Sequence, residues 1–215
     1  MDMLEPDEKE RAERLLRRRH WVQMVALRNE RTGSTFEQLL WRIAKWAPYG
    51  GMTALTGRDL YLLRIYLTAQ GQRLHIPTAL RKPEDDDVGK GMRPYLHFFN
   101  RGDADKEFHN HPWRVSFSLI LTGGYKEFRW NAKEKRVDER YFVPGSLNLL
   151  RREDYHRVEL LDPEQGCWTL FCSVDRLQKS DGTDWGFLDT ETGEYTPWGV
   201  HVKRRNSGGE AAIEA

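Results

Sequence analysis

Short apolar runs separated by turn residues dominate the chain from about residue 93 onward. Aromatic, β-branched and leucine residues fill the runs, and pairs such as Gly123-Gly124 and Pro144-Gly145 punctuate them. Runs of this length and composition are typical of β-strands. We predict strands at 93–99, 115–121, 125–130, 136–143, 147–150, 156–160 and 167–172, with further candidates at 185–188 and 195–202. Many short strands at regular spacing indicate a mainly β sandwich or barrel.

The first of these strands is apolar on both of its faces. Tyr95, His97 and Phe99 fall on one side, and Leu96 and Phe98 fall on the other, because side chains alternate along a strand. A strand that is apolar on both sides lies between two packed layers. His97 is interpreted either as a histidine satisfied within the core or as a group that orients a metal ligand.

The N-terminal part of the chain has helical patterning instead. Residues 7–31 form a charged run with an irregular apolar stripe, which predicts a helix with a solvated face. Ser34 and Glu37 have the spacing of a capping box, which predicts the start of a second helix. Its apolar face is expected to pack on the main body, through Phe36, Leu39, Leu40 and Ile43. The apolar run at 59–68 predicts a strand, with a short buried helix as the alternative.

Composition narrows the class of protein further. The 215 residues include 34 basic and 33 acidic side chains, so the net charge of +1 gives no electrostatic reason to expect nucleic-acid binding. The sequence contains no apolar run of about 18 residues and no secretory leader pattern at its N-terminus, so no membrane is expected as a partner. Cys167 and Cys172 are five residues apart and should face opposite sides of a strand. We therefore expect a reducing, cytoplasmic compartment.

Three histidines form the most informative pattern in the chain. His109 and His111 are two residues apart, so we expect them on the same side of one strand. His156 follows 45 residues later, at the start of another predicted strand. Three neutral imidazoles suit a divalent ion such as iron, zinc, copper or nickel. The competing interpretation is a set of surface histidines near a turn.

These residues resemble the two sequence motifs of the cupin superfamily. The first motif is Gly-x5-His-x-His-x3-4-Glu-x6-Gly, and His109, His111 and Gly123 match its spacing, whereas Gly102 comes one residue too early. The second motif has a Pro-Gly turn, a strand and a histidine, and the chain from Pro144 to His156 follows that order. The resemblance covers about residues 93–175.

The resemblance implies a mainly β, cupin-like double-stranded β-barrel (jelly roll) with N-terminal helices. We therefore divide the chain into a helical N-terminal extension at 1–47, a cupin-like β-barrel domain at 48–205 and a disordered tail at 206–215. The expected partner is a small-molecule substrate. A homodimer is left open, because no pattern in the sequence decides the oligomeric state.

One departure from the cupin pattern bears on the reaction. The glutamate ligand of the family would fall at Ser116, or at Val115 with the shorter spacing, and neither residue type is a usual ligand of a transition metal. The remaining set of three histidines resembles the thiol dioxygenases, such as cysteine dioxygenase, which bind Fe(II) through three histidines. The resemblance therefore implies an Fe(II)-dependent dioxygenase that acts on a small polar or carboxylate-bearing substrate.

Candidate catalytic residues lie near the motifs. Arg114 could hold a carboxylate through its guanidinium fork, or it could be a surface arginine at the start of a strand. Tyr125 and Tyr155 could each supply an acidic hydroxyl, or they could be packing tyrosines. Trp113 could form a wall of the pocket, or it could belong to the core.

Two other functions fit the same motifs. A cupin isomerase or epimerase of sugar-like substrates would use a histidine as general base and would work without oxygen. A non-catalytic module would bind a metal or another ligand, with the N-terminal helices docking a partner.

Overall fold

Two antiparallel sheets of six strands each make up most of the structure. The computed structural model describes residues 33–46, 51–56, 59–68, 74, 91–103, 107–176 and 185–201. A helix, α1 (Thr35–Trp46), precedes the strands. The first sheet has the spatial order β1 (Gly51–Thr56), β2 (Asp59–Tyr66), β3 (Met92–Phe99), β10 (Cys167–Arg176), β5 (Trp113–Thr122), β8 (Leu147–Arg151). The second has the order β12 (Tyr195–Pro197), β11 (Gly186–Leu188), β4 (Phe108–His109), β9 (His156–Leu160), β6 (Tyr125–Asn131), β7 (Arg136–Phe142).

The pairing of the eight strands from β3 to β10 is nested. Strand β6 pairs with β7, β5 with β8, β4 with β9 and β3 with β10, and all four pairs are antiparallel. Alternate pairs belong to alternate sheets, so the chain behaves as one long antiparallel ribbon rolled into two facing layers. This is the strand order of a jelly roll. The predicted cupin-like double-stranded β-barrel is therefore confirmed.

Strand β3 has one face toward the helix and the other toward the barrel interior. Leu96 and Phe98 belong to the cluster that α1 covers, whereas Tyr95 and His97 are directly opposite Phe171 and Thr169 of β10 on the inner face. The four central residues of β3, from Tyr95 to Phe98, are buried. The prediction that both faces of this strand are covered is confirmed.

The capping box at the start of α1 is present as predicted. The Ser34 backbone N–H donates to Glu37 Oε2 at 2.9 Å, and the Glu37 N–H donates to Ser34 Oγ at 3.3 Å. These two hydrogen bonds satisfy backbone donors that the first turn of a helix leaves without partners. Glu37 Oε1 also accepts a hydrogen bond from Gln165 Nε2 at 2.9 Å, which ties the start of the helix to the loop before β10.

The prediction of which face of α1 packs on the main body is wrong. The helix is rotated about its axis relative to that prediction. Phe36, Leu39 and Ile43 are 40–50% exposed, and the buried stripe is Leu40, Trp41 and Ala44. The physical reason is the size of Trp41, whose ring packs edge-on against Phe98 and Trp168 at centroid distances of 4.7 and 4.9 Å. Seating this indole in the core turns the neighbouring apolar residues outward.

The remaining sequence predictions have mixed outcomes. The run at 59–68 is a strand, as predicted, and it pairs with β1, a strand that was not predicted. Of the run at 195–202, Tyr195–Pro197 is extended and 198–201 is helical. Residues 7–31 and 206–215 lie outside the described ranges, and the domain boundaries stay predictions. In the described residues, no helix is long and apolar enough to cross a membrane.

Candidate metal centre

Three histidines from different parts of the barrel converge at one end of the second sheet. His109 ends β4 and is directly opposite His156, the first residue of β9. His111 lies beyond β4, in the connection that carries the chain to β5 in the other sheet. The expectation that His109 and His111 share one strand is therefore wrong. The strand ends because the chain crosses between sheets there, and Pro112 has no N–H to continue a ladder.

The three imidazoles are close enough to share one ion. One ring nitrogen from each histidine lies within 4.8 Å of the corresponding atoms of the others. His111 Nε2 and His156 Nε2 are 2.9 Å apart. A metal with nitrogen bonds of about 2.1 Å at right angles would hold two ligand nitrogens about 3.0 Å apart. The geometry of the residues therefore fits a divalent metal, although it does not select iron.

The charge state of His111 also suits a metal ligand. Burial lowers the pKa of His111 well below 6.5, and the nearby charges of His109 and His156 lower it further. A neutral imidazole keeps a lone pair available for coordination. Trp113 stacks on His111 with a centroid distance of 5.0 Å, so an aromatic wall covers one side of this ligand.

A buried carboxylate fixes the orientation of His156. His156 Nδ1 lies 2.9 Å from Glu127 Oε1, and Glu127 has no exposed surface. The carboxylate can only accept, so Nδ1 carries the hydrogen and Nε2 presents its lone pair toward the other histidines. A carboxylate that holds a metal-binding imidazole in this way is a recurrent feature of metal sites.

Glu127 is itself held by two polar side chains. Arg129 makes a salt bridge to Glu127 Oε2 at 2.8 Å, and Asn148 Nδ2 donates to Glu127 Oε1 at 2.9 Å. Burial alone would raise the pKa of Glu127, but the hydrogen bond with His156, the charge of Arg129 and the hydrogen bond from Asn148 outweigh it and lower the pKa. Glu127 is therefore ionised at neutral pH and remains an acceptor.

Tyr125 belongs to the same network. Its hydroxyl accepts a hydrogen bond from Asn148 Nδ2 at 3.0 Å. Burial raises the pKa of Tyr125 well above 10, and the negative charge of Glu127 adds to this effect. The hydroxyl therefore keeps its proton at neutral pH and remains able to donate it in a hydrogen bond.

Asn110 holds the crossing segment between the two sheets in place. Its Nδ2 donates to the carbonyl of Arg152 at 3.1 Å, just before His156 in the chain. Its Oδ1 accepts from the Gly186 N–H at 2.9 Å, and its own N–H donates to the Gly186 carbonyl at 3.1 Å. A single buried side chain thus connects three segments around the histidines, and Phe187, next to Gly186, packs beside His109.

The other predicted catalytic residues have different surroundings. Arg114 Nη2 makes a salt bridge to Asp175 Oδ2 at 2.6 Å, and Asp175 Oδ1 accepts from the Gly91 N–H. The ring of Tyr155 packs against Tyr195, and burial raises the pKa of Tyr155. The roles predicted for these two residues stay predictions. Ser116, at the position of the cupin glutamate, is buried and pairs in register with Ser173.

The fold and the site together define the class of protein. The chain is a cupin-like jelly roll whose described residues include three histidines, and no carboxylate, in the one group that could hold a metal. No family model matches the chain, and no curated protein matches it.

The similarity to solved structures is remote. The chain is similar to Fe(II)-HppE with the alternative substrate (S)-1-HPP, at 8% identity and a TM-score of 0.39, over 57% of this chain and 54% of that chain. It is similar to KdgF from Halomonas sp. at 15% identity and a TM-score of 0.37, over 60% and 90% of the two chains. The chain is similar to oxalate oxidase in complex with the substrate analogue glycolate at 14% identity and a TM-score of 0.32, over 40% of this chain and 42% of that chain. The chain thus spans about half the length of HppE, and likenesses this remote say nothing about its activity.

Proposed function

We propose that this protein is a metal-dependent cupin enzyme, an oxygenase that holds Fe(II) through His109, His111 and His156. Its substrate in this proposal is a small polar molecule with a carboxylate. The observation that carries the proposal is the convergence of three ring nitrogens within 4.8 Å, with His156 locked by the buried Glu127. Surface histidines near a turn would not need an ionised carboxylate buried behind one of them.

The number of protein ligands that the described residues offer, three histidines, supports a catalytic role over a structural one. A structural metal site is closed by four protein ligands, whereas a catalytic site leaves positions for a substrate or oxygen. Bound iron would supply redox chemistry and a place for oxygen to bind. The resemblance to three-histidine thiol dioxygenases favours iron over the other metals that imidazole accepts.

The residues around the histidines have roles of their own in this proposal. Trp113 and Phe187 cover His111 and His109 and limit the access of water. Glu127 keeps the Nδ1 proton of His156 in place, so the imidazole does not lose its orientation. Tyr125 presents a protonated hydroxyl from the neighbouring network and would donate a hydrogen bond to a polar group of the substrate.

A reducing cytoplasm is the compartment we propose. Cys167 and Cys172 are both free and buried. Burial raises the pKa of Cys167 to about 12 and that of Cys172 to about 11, so both remain thiols at neutral pH. Two such thiols give the fold no disulfide to lose in a reducing compartment.

A test that needs no substrate uses nitric oxide as a stand-in for oxygen. Protein purified without oxygen and reconstituted with Fe(II) is expected to retain stoichiometric iron and to give the high-spin EPR signal of an iron–nitrosyl complex. The signal requires both bound iron and an open position on it. Iron that binds but gives no nitrosyl signal would exclude an oxygenase, and turnover of sugar-like compounds by zinc-loaded protein without oxygen would favour the isomerase.

A further inference from the structure

Asp103 lies on the same edge of β9 as the first of the three histidines. Its N–H donates to the Val158 carbonyl at 2.9 Å, and its Oδ2 accepts from the Val158 N–H at 2.7 Å. Backbone groups two residues apart along a strand point to the same edge, and His156, two residues before Val158, pairs with His109. Asp103 and His109 are therefore neighbours along one edge of β9.

Gly102 lets the chain lie close against β9 at this point. A Cβ atom at position 102 would lie 2.7 Å from the Val158 carbonyl oxygen and 3.0 Å from Glu159 Cα. Both of these neighbours are backbone atoms of a paired strand, so they cannot move aside for a side chain, and only glycine fits. The glycine that comes one residue too early for the cupin motif thus places the Asp103 carboxylate beside β9.

The Asp103 carboxylate faces one nitrogen of the His109 ring. Asp103 Oδ2 lies 4.0 Å from His109 Nδ1, and the two side chains are only 10% and 14% exposed. This separation is too long for a hydrogen bond, so the carboxylate acts on the ring through its charge. A negative charge near Nδ1 stabilises the tautomer that carries its hydrogen on that nitrogen. Burial strengthens this effect, because the protein interior screens charge less than water does.

Two carboxylates flank the pair of histidines from opposite edges of β9. Glu127 of β6 is directly opposite Val158 on one edge, and Asp103 is bonded to Val158 on the other edge. Glu127 Oε1 lies 2.9 Å from Nδ1 of His156, and Asp103 faces Nδ1 of His109. The same nitrogen meets a carboxylate in both rings, which leaves Nε2 of each ring for coordination.

We propose that Asp103 is a positioning residue that holds His109 in the tautomer with its hydrogen on Nδ1, so that Nε2 is the metal ligand. This inference rests on the proposed function, which it deepens by assigning the ligand atom of His109 and the group that selects it. A carboxylate beside the nitrogen that does not coordinate also makes the imidazole a stronger ligand, because it offsets the positive charge that the ring gains on coordination. Asp103 acts through His109 alone.

The tautomer of His109 tests the proposal without any metal. Long-range proton–nitrogen NMR spectra of the metal-free protein, recorded at about pH 8 where a free imidazole is neutral, show which ring nitrogen carries the hydrogen. In the wild type we expect it on Nδ1 of His109. Asp103→Asn keeps an oxygen to accept from the Val158 N–H but lacks the charge, so His109 should shift toward the Nε2–H tautomer while His156 keeps its own. Hydrogen on Nε2 of His109 in the wild type, or an unchanged tautomer in folded Asp103→Asn, would overturn the proposal.

Zinc affinity provides a second readout on the same variant. Asp103→Asn should bind zinc about tenfold more weakly than the wild type, the lower end of the range for groups that support metal ligands, measured by competition with a chelator. Asp162→Asn is the matched control, because Asp162 also accepts backbone N–H groups but lies in the exposed turn before β10. It should change neither the tautomer nor the affinity. An unchanged affinity in folded Asp103→Asn would overturn the proposal. A wild type that binds no zinc but shows the tautomer set by Asp103 would contradict the proposed metal centre and leave the contact between Asp103 and His109 standing.

Discussion

Glu127 Oε1 lies 2.9 Å from His156 Nδ1, which makes an ionised and fully buried carboxylate the partner of a candidate metal ligand. The carboxylate is satisfied by Arg129 and Asn148 as well as by the imidazole. An ionised group of this kind is costly to bury unless every acceptor site is used. The contact is therefore best explained by the need to hold His156 in one tautomer and one orientation.

Replacing this carboxylate by an amide tests its role. Glu127→Gln keeps the shape of the side chain but removes the negative charge that stabilises the His156 Nδ1–H. We expect zinc or iron affinity to fall by about 10–100-fold, measured by competition with a chromophoric chelator. Glu159→Gln changes a half-exposed glutamate on the same strand as His156, and its affinity should match that of the wild type. An unchanged affinity in folded Glu127→Gln would show that the contact does not support a metal.

Part of this site could be predicted from the sequence, because some of its residues are close to one another along the chain. Two histidines two residues apart, and a third at the head of a predicted strand, matched the cupin motifs, and that resemblance predicted that the three would meet. The strand pattern alone predicted a sandwich or barrel, and the resemblance narrowed it to the jelly roll. The strands themselves depend on short-range periodicity, which apolar and turn residues express directly.

The partners of the three histidines could not be predicted in the same way. Glu127 stands between Lys126 and Phe128 in a strand of mixed character, so its burial cannot be distinguished from exposure by pattern alone. It meets Asn148 only because the two sheets face each other. The alternation rule likewise misplaced His111, because the rule fails where the chain leaves one sheet for the other.

The crossing segment should depend strongly on Asn110. Asn110→Ala would remove the side-chain hydrogen bonds to Arg152 and Gly186 and leave buried backbone groups without partners. We expect a loss of about 1–3 kcal/mol in the free energy of unfolding, measured by urea denaturation, together with weaker metal binding. Asn131→Ala, which removes a hydrogen bond at an exposed hairpin tip, serves as the control. Similar losses in both variants would contradict the role assigned to Asn110.

The packing of α1 makes a prediction about stability. Trp41 is 1% exposed and contacts two aromatic rings of the first sheet, so Trp41→Ala should cost about 3–5 kcal/mol. Phe36 is 46% exposed on the same helix, and Phe36→Ala should cost only about 0.5 kcal/mol. Thermal unfolding of the two variants compares them directly. Equal effects would mean that the helix is a peripheral attachment and not part of the core.

The stability of the metal-free protein should decrease in mild acid partly because of His97. Burial and the charge of Arg64 hold the pKa of His97 well below 6.5 in the folded state. Below about pH 6.5 the unfolded chain binds a proton at this position that the folded chain does not, so acid favours unfolding. His97→Gln should therefore show a shallower loss of unfolding free energy than the wild type between about pH 7 and pH 5, by up to about 1.4 kcal/mol per pH unit.

The slopes of stability against pH must be compared between the two proteins, because His111 also makes the folded state less stable in acid. Its pKa is also lowered by burial, so the wild type and His97→Gln share that contribution. Urea denaturation at each pH gives the two curves. Parallel curves would show that His97 is not neutral and buried in the folded protein, whatever the behaviour of His111.

A metal bound by the three histidines should stabilise the folded protein. A ligand that binds only the folded state stabilises it by about 2.7 kcal/mol at a hundredfold excess over its Kd. Zinc added to the wild type should therefore raise Tm by several degrees, and a chelator should reverse the change. His109→Ala, His111→Ala and His156→Ala should each lose most of this rise, because each variant removes one of three ligands that lie within 4.8 Å of one another. His201→Ala is the matched control, since His201 stacks on Phe187 nearby but is outside this group. A full rise of Tm in His156→Ala would mean that the metal binds elsewhere on the protein.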